Sequence, residues 1–166
     1  MTDFQIERAK LPDSCLITVL SGQKYRTIMV MQQGNMREDH EEIELLNTIY
    51  DEFPEVAKDL DHTLKHNWEY EPHERNEMWT GLIERFSQLT TDAISIGDEE
   101  TAKKYLSFME KQYLTGGENL KKAVDVYYVE SLLWDIKDLK VKEWGWSIMP
   151  DVLQELYINL WGKPEF

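Results

Sequence analysis

From Asp39 to Trp161, apolar residues recur at intervals of three and four, the spacing that lines one face of an α-helix. Ile43, Leu46, Ile49, Tyr50 and Phe53 form the first such stripe. Asp39 with Glu42 three residues on gives it a capping-box start. Pro54, suited to a first helical position, divides it from a second stripe of Val56, Leu60, Leu64 and Trp68. Pro72 opens a long third helix with Trp79, Leu82, Ile83, Phe86, Leu89 and Ala93 inward. Gly97 stops that helix, and Asp98 caps a fourth running through Ala102, Tyr105, Leu106, Met109 and Tyr113 to the pair Gly116–Gly117. A fifth runs from about Asn119 through Ala123, Val126, Tyr127, Glu130, Leu133 and Trp134. After a polar link, EWGWSIMP leads to a last helix with Val152, Leu153, Leu156, Tyr157, Leu160 and Trp161 inward, ended by Gly162.

Ahead of these helices the pattern differs in kind. CLITVL, SGQK and YRTIMVMQ read as two β-branched apolar runs around a turn, so residues 1–37 are expected to form a short β-hairpin arm. A short helix from Asp13 to Gly22 is the alternative. The expected fold is therefore mainly α, a single domain whose residues 38–166 make a bundle of about six helices.

Composition changes the picture in one respect. The chain has 166 residues, 42% of them hydrophobic, with six Trp and eight Tyr, as in a globular protein. Its net charge is −14, which excludes a phosphate-contacting nucleic-acid binder and an anionic membrane surface. No stretch is apolar enough to span a membrane and no signal peptide is visible. The single cysteine, Cys15, fits a reducing compartment, so a cytoplasmic location is expected.

The charge is concentrated. Residues 38–77 hold fourteen acids and three bases, Lys58, Lys65 and Arg75, a net of −11. On a helical projection Glu41, Glu44, Asp51, Glu52 and Glu55 fall opposite the apolar arc, with no base among them. A solvated helix usually mixes signs, because opposite charges four apart stabilise it by a few tenths of a kcal/mol. This face forgoes that gain, which points to a binding surface for a basic partner. Glu69, Glu71 and Glu74, around Trp68 and Tyr70, extend it.

All four histidines, His40, His62, His66 and His73, lie in this acidic stretch. His62 and His66 could share an ion with Asp61, Glu69 or Glu71, but HTLKH has Thr63 where the metalloprotease helix needs glutamate. A metal-dependent enzyme built on this pair is the alternative to a binding protein. Glu110 and Glu130, set in apolar stripes, read as packing carboxylates that accept bonds from neighbouring helices. There is no glycine-rich phosphate loop and no Ser/His/Asp constellation, so neither catalytic residues nor a cofactor are expected.

The segment YLSFMEKQYLTGGENLKKAVDVYYVESLL, residues 105–133, resembles a helical hairpin of uncharacterised small bacterial proteins. Phe108-Met109-Glu110, the Gly116–Gly117 break and Val129-Glu130 carry the likeness, which reaches from about Trp79 to Tyr157. As a small, acidic, Trp-rich chain without a catalytic signature, it also resembles the immunity proteins of contact-dependent growth inhibition and related polymorphic toxin systems. That resemblance implies a protein that binds one toxin domain, often a basic nuclease, and blocks its active site or substrate groove. A third reading, a structural or regulatory subunit, differs only in the identity of the partner.

Overall fold

A computed structural model describes residues 41–166 and, ahead of them, the strands β1 (Cys15–Leu16) and β2 (Met31–Gln32). The strands pair antiparallel, Cys15 opposite Gln32 and Leu16 opposite Met31, as a hairpin would place them. The expected turn around Ser21-Gly22, the rest of the arm and the Asp39 cap lie outside the described residues.

Glu41–Phe166 is a compact, mainly α unit. It contains α1 (Glu41–Glu52), α2 (Pro54–Asn67), a 3₁₀ segment (Pro72–Met78), α3 (Trp79–Ser95), α4 (Glu99–Thr115), α5 (Glu118–Ala123), a π-helical segment (Val124–Val129), α6 (Leu139–Ile148) and α7 (Asp151–Trp161). The chain breaks where its chemistry requires. Pro54 occupies the first turn of α2, and Pro72 opens the 3₁₀ segment that feeds α3. Gly97 takes φ 77°, and Asp98 then caps α4 by accepting the Thr101 N–H at 3.1 Å. Those Thr101 bonds hold the Asp98 carboxyl below its ordinary range. Gly162, at φ 80°, ends α7.

Phe53, the buried residue between α1 and α2, sets the angle of that joint. Its ring meets Phe86 at 5.6 Å and stands edge-on to Tyr105 and Phe108 at 5.1 and 5.0 Å. Leu45, Leu46 and Ile49 of α1, Leu60 and Leu64 of α2, Leu82 and Ile83 of α3, and Leu106 and Met109 of α4 complete this part of the core.

Two elements depart from the sequence reading. The expected fifth helix is α-helical only to Ala123. It then widens into the π segment and leaves helical form at Glu130. A π turn advances the buried positions, so the core takes Val124, Tyr128, Val129, Leu132 and Leu133, while Glu130 and Trp134 face outward. Glu130 is thus no buried packing acid; Glu110, half-buried on α4, makes no hydrogen bond among the described residues.

The second departure is α6, a seventh α-helix where a link was expected. Asp138 caps it by accepting the Lys140 N–H at 2.9 Å. Gly145 is buried within it. A Cβ there would stand 2.5 Å from Ile94 Cγ2, so the missing side chain lets α6 lie close on α3. Gln154 of α7 then donates to the carbonyls of Trp146 and Met149 at 3.0 and 2.9 Å, tying the end of α6 to α7.

The π segment survives because α3 supplies hydroxyls where it passes. Ser87 Oγ donates to the Tyr128 carbonyl at 2.6 Å, and Thr90 Oγ1 lies 2.9 Å from the Tyr128 hydroxyl. Thr91 Oγ1 accepts the Leu133 N–H at 3.1 Å. All three hydroxyl residues are buried, and burial pushes the Tyr128 phenol far above its ordinary pKa, so it stays neutral. Replacing Ser87 with Ala strands the Tyr128 carbonyl and should cost about 1–3 kcal/mol in urea unfolding, with an unchanged m-value. Gly145→Ala should cost about as much, through overpacking against Ile94.

Candidate functional site

The acidic face starts on α1. Glu44, Asp51 and Glu52 are exposed, and no base lies in the last turn of the helix. Asp51 and Glu52 sit at the helix C-terminus, where the macrodipole disfavours negative charge. Glu55, in the first turn of α2, is better placed and meets Lys58 at 2.8 Å. Both of those side chains are more than two-thirds exposed, so their pair contributes little.

Three other acids of this stretch, Asp59, Asp61 and Glu41, are engaged within the fold. Asp59 holds Arg85 through two bonds of 2.8 and 3.0 Å. Asp61 accepts the Tyr50 hydroxyl at 2.9 Å; burial first, then this bond, pushes the Tyr50 phenol well above its usual pKa. Arg75 donates to Asn47 at 2.7 Å and lies over the Tyr50 ring at 4.4 Å. Glu41 crosses to the start of α5, packs against Gly117 and accepts the Leu120 N–H at 3.4 Å. α5 has no side-chain cap of its own, and Glu41 takes that place. Beside it, Glu41, Glu44, Thr48, Thr115, Gly116 and Gly117 edge an open polar crevice of about 250 Å³.

The second predicted group is a turn. Trp68 is half-buried, and its ring lies where a Cβ on Gly81 would stand 2.8 Å away; Tyr70 also packs on the core. Glu71 and Glu74 form a reciprocal capping box on the 3₁₀ segment, with the Glu71 N–H donating to Glu74 Oε2 at 2.8 Å. Glu69 is exposed and holds φ 61° just after α2, a conformation that favours glycine. The outward-facing acids among the predicted residues are therefore Glu44, Asp51, Glu52, Glu55, Glu69 and Glu71.

His62 and His66 are exposed and stack on each other, ring centroids 4.5 Å apart. Among the described residues no group of three or more His, Cys, Asp or Glu side chains converges as a metal site, and no helix is long and apolar enough to cross a membrane.

The structure also exposes groups that periodicity placed inward. Trp134 is 70% exposed and Trp161 51%, their rings 6.3 Å apart, and the Trp161 indole donates to the Glu130 carbonyl at 3.2 Å. One π turn back, Asp125 has a buried carboxylate oxygen with no hydrogen-bond partner. Burial, and then the charge of Glu130, raises the Asp125 pKa. No glycine or proline marks this place in VDVYYVESLLWD, so nothing in the sequence separated it from an ordinary amphipathic helix.

The family model of a domain of unknown function, DUF7674, matches residues 46–162. The chain belongs to this family. No curated protein and no solved structure matches it. The DUF7674 match takes in Asp51, Glu52, Glu55, the π segment, Trp134 and Trp161, and leaves out Glu41, Glu44 and the N-terminal strands.

Two stability outcomes follow from this geometry. Glu69→Gly should stabilise the DUF7674 fold by about 0.5–1 kcal/mol, because glycine adopts φ 61° without strain; urea midpoints measure it. Because the Asp125 pKa is raised in the folded state, folding takes up a proton there. Asp125 is therefore best tolerated below its unfolded value and costs stability as pH rises through its folded value. Asp125→Asn should raise the urea midpoint at about pH 7 and lose that advantage toward about pH 4. An advantage that grows on acidification would contradict the geometry.

Proposed function

We propose that the protein is a cytoplasmic immunity protein or inhibitor that binds a basic toxin, a nuclease by preference, and covers its active site or substrate groove. One observation carries the reading: Glu44, Asp51, Glu52 and Glu55 stand exposed along α1 and the start of α2, with Lys58 as the single base engaged among them. Neighbouring exposed acids do not stabilise the helix that carries them. The arrangement is suited to attracting a cationic surface from a distance and setting its register on contact. Carboxylates on such a face stand where the phosphates of a nucleic acid would otherwise lie.

The first experiment captures partners from lysate of the source organism with the full chain as bait, washed at low and then high salt. The expected partner is one basic protein that is released by salt and whose isolated enzymatic activity the chain suppresses. With that partner in hand, Glu44→Lys combined with Asp51→Lys should slow association roughly tenfold or more at low salt and far less at high salt, by stopped-flow mixing. Equal slowing at both salts would rule out steering by this face.

A further inference from the structure

Three irregular features fall within eleven residues, Val124 to Trp134. Val124–Val129 is a π turn, a form that is rare and frequent at functional sites. Leu133, bulky and fully buried, holds φ 61°, a strained conformation for a residue with a Cβ that persists only where its surroundings enforce it. Thr91 enforces it by accepting the Leu133 N–H. Directly after, Trp134 emerges as the most exposed aromatic side chain among the described residues, beside Trp161. An α-helix continued through 134 would have turned this ring elsewhere, so the strained turn sets where the indole points.

The carboxylates are placed by the same turn. The Glu130 N–H bonds back to the Asp125 carbonyl at 3.3 Å, and the wide π turn brings side chains five apart to one side. Asp125 and Glu130 feel each other's charge, and no ion pair among the described residues joins either of them, or the exposed Asp135, to a base. Lys137 and Lys163 are close in sequence, exposed, and equally unpaired. The Trp161 indole N–H donates to the Glu130 backbone carbonyl, which ties that ring to the exposed residue Glu130. Indole faces bind cations more strongly than other aromatic rings do, and tryptophans of this kind anchor protein interfaces.

We infer that Trp134 and Trp161, with Glu130 tied to Trp161 through its backbone, form a docking site for a cationic side chain, an arginine or lysine on a basic segment of a protein partner. The cation stacks on the indoles and gains a counter-charge from the exposed Glu130. Charge selects this occupant over a second copy of the chain, since two molecules of −14 repel. The site stands apart from α1 and α2, and its existence does not depend on the role of their acidic face.

The test uses the full chain labelled with ¹⁵N. Indole N–H signals are assigned by single Trp→Phe variants and followed on titration with an oligo-arginine peptide and with its neutral citrulline counterpart. Saturable shifts of the Trp134 and Trp161 signals are expected with the arginine peptide alone. Trp134→Ala should weaken the binding that the Trp161 signal reports by roughly tenfold, and Glu130→Gln should weaken it severalfold. Trp134 is exposed enough that its removal should leave the unfolding midpoint in place. The Glu44→Lys, Asp51→Lys variant should keep the Trp161 response, which separates this site from the α1–α2 face. Arginine-peptide shifts confined to other signals, equal shifts with citrulline, or binding unchanged in Trp134→Ala would overturn the inference. So would shifts that appear on raising protein concentration without peptide, because a second copy would then occupy the pair.

Discussion

The hydrogen bonds from α3 to the Val124–Leu133 stretch are the constraint on which the other helices depend. A π turn leaves backbone groups out of α-helical register, and this one is buried on the side that meets α3. Ser87, Thr90 and Thr91 meet the Tyr128 carbonyl, the Tyr128 hydroxyl and the Leu133 N–H. A wholly apolar α3 would bury more hydrocarbon but strand these groups, each at about 1–3 kcal/mol. With them satisfied, the chain can turn at Leu133, run to Asp138 and start α6, whose Gly145 closes on Ile94 of the same α3. α3 thus buries apolar side chains against α1, α2 and α4, meets α2 with Arg85 on Asp59 at the part-buried edge, and carries its buried hydroxyls in one short strip where the backbone opposite is irregular.

Charge in this fold is divided between acids that build and acids that face out. Asp59, Asp61, Glu41 and Glu74 hold an arginine, a tyrosine, a helix start and a 3₁₀ cap, and Glu71 does both, capping the 3₁₀ segment from an exposed position. Sequence counting treats these like Glu44 or Asp51, because a carboxylate does not announce its partner. Only long-range geometry separates them: Glu41 reaches an amide 79 residues away. The outward charge is therefore smaller than a net of −11 suggests, and it is concentrated near the α1–α2 joint. Phe53, buried among three aromatic rings, holds that joint still.

Elements were legible where one residue type has one thing to do. Pro54, Pro72, Gly97 with Asp98, Gly116 and Gly162 stand at breaks that the chain obeys, since each follows from a fixed φ, an absent Cβ or a capping oxygen. Gly145 is the reverse case: its absent Cβ serves interhelical contact and not a break. The π segment could not be read, because nearly every residue from Val124 to Leu133 fits either helical period. What decides between the periods is the row of hydroxyls on α3, some forty positions earlier. The period of 3.6 puts Trp134 inward; it stands outward because the chain leaves helical form at Glu130 and turns at Leu133.

Strain and unspent polarity fall on the same short stretch as the exposed indoles, and that coincidence has physical content. A chain selected for stability alone would relieve Leu133 with glycine, pair Asp125 and cover Trp134, each by a single substitution. Instead the strain is enforced by a buried hydroxyl, a wide turn joins the Glu130 amide to the Asp125 carbonyl, and an indole bond to Glu130 fixes Trp161 beside Trp134. Rigid elements that fix polar and aromatic groups in solvent lower the entropy lost when something binds them. The same logic applies at the α1–α2 joint, where the side chains point out and the backbone beneath is immobilised by aromatic packing. Both surfaces are prepared by the core, and in both the unmatched charge is negative, so a basic surface is the complement they share.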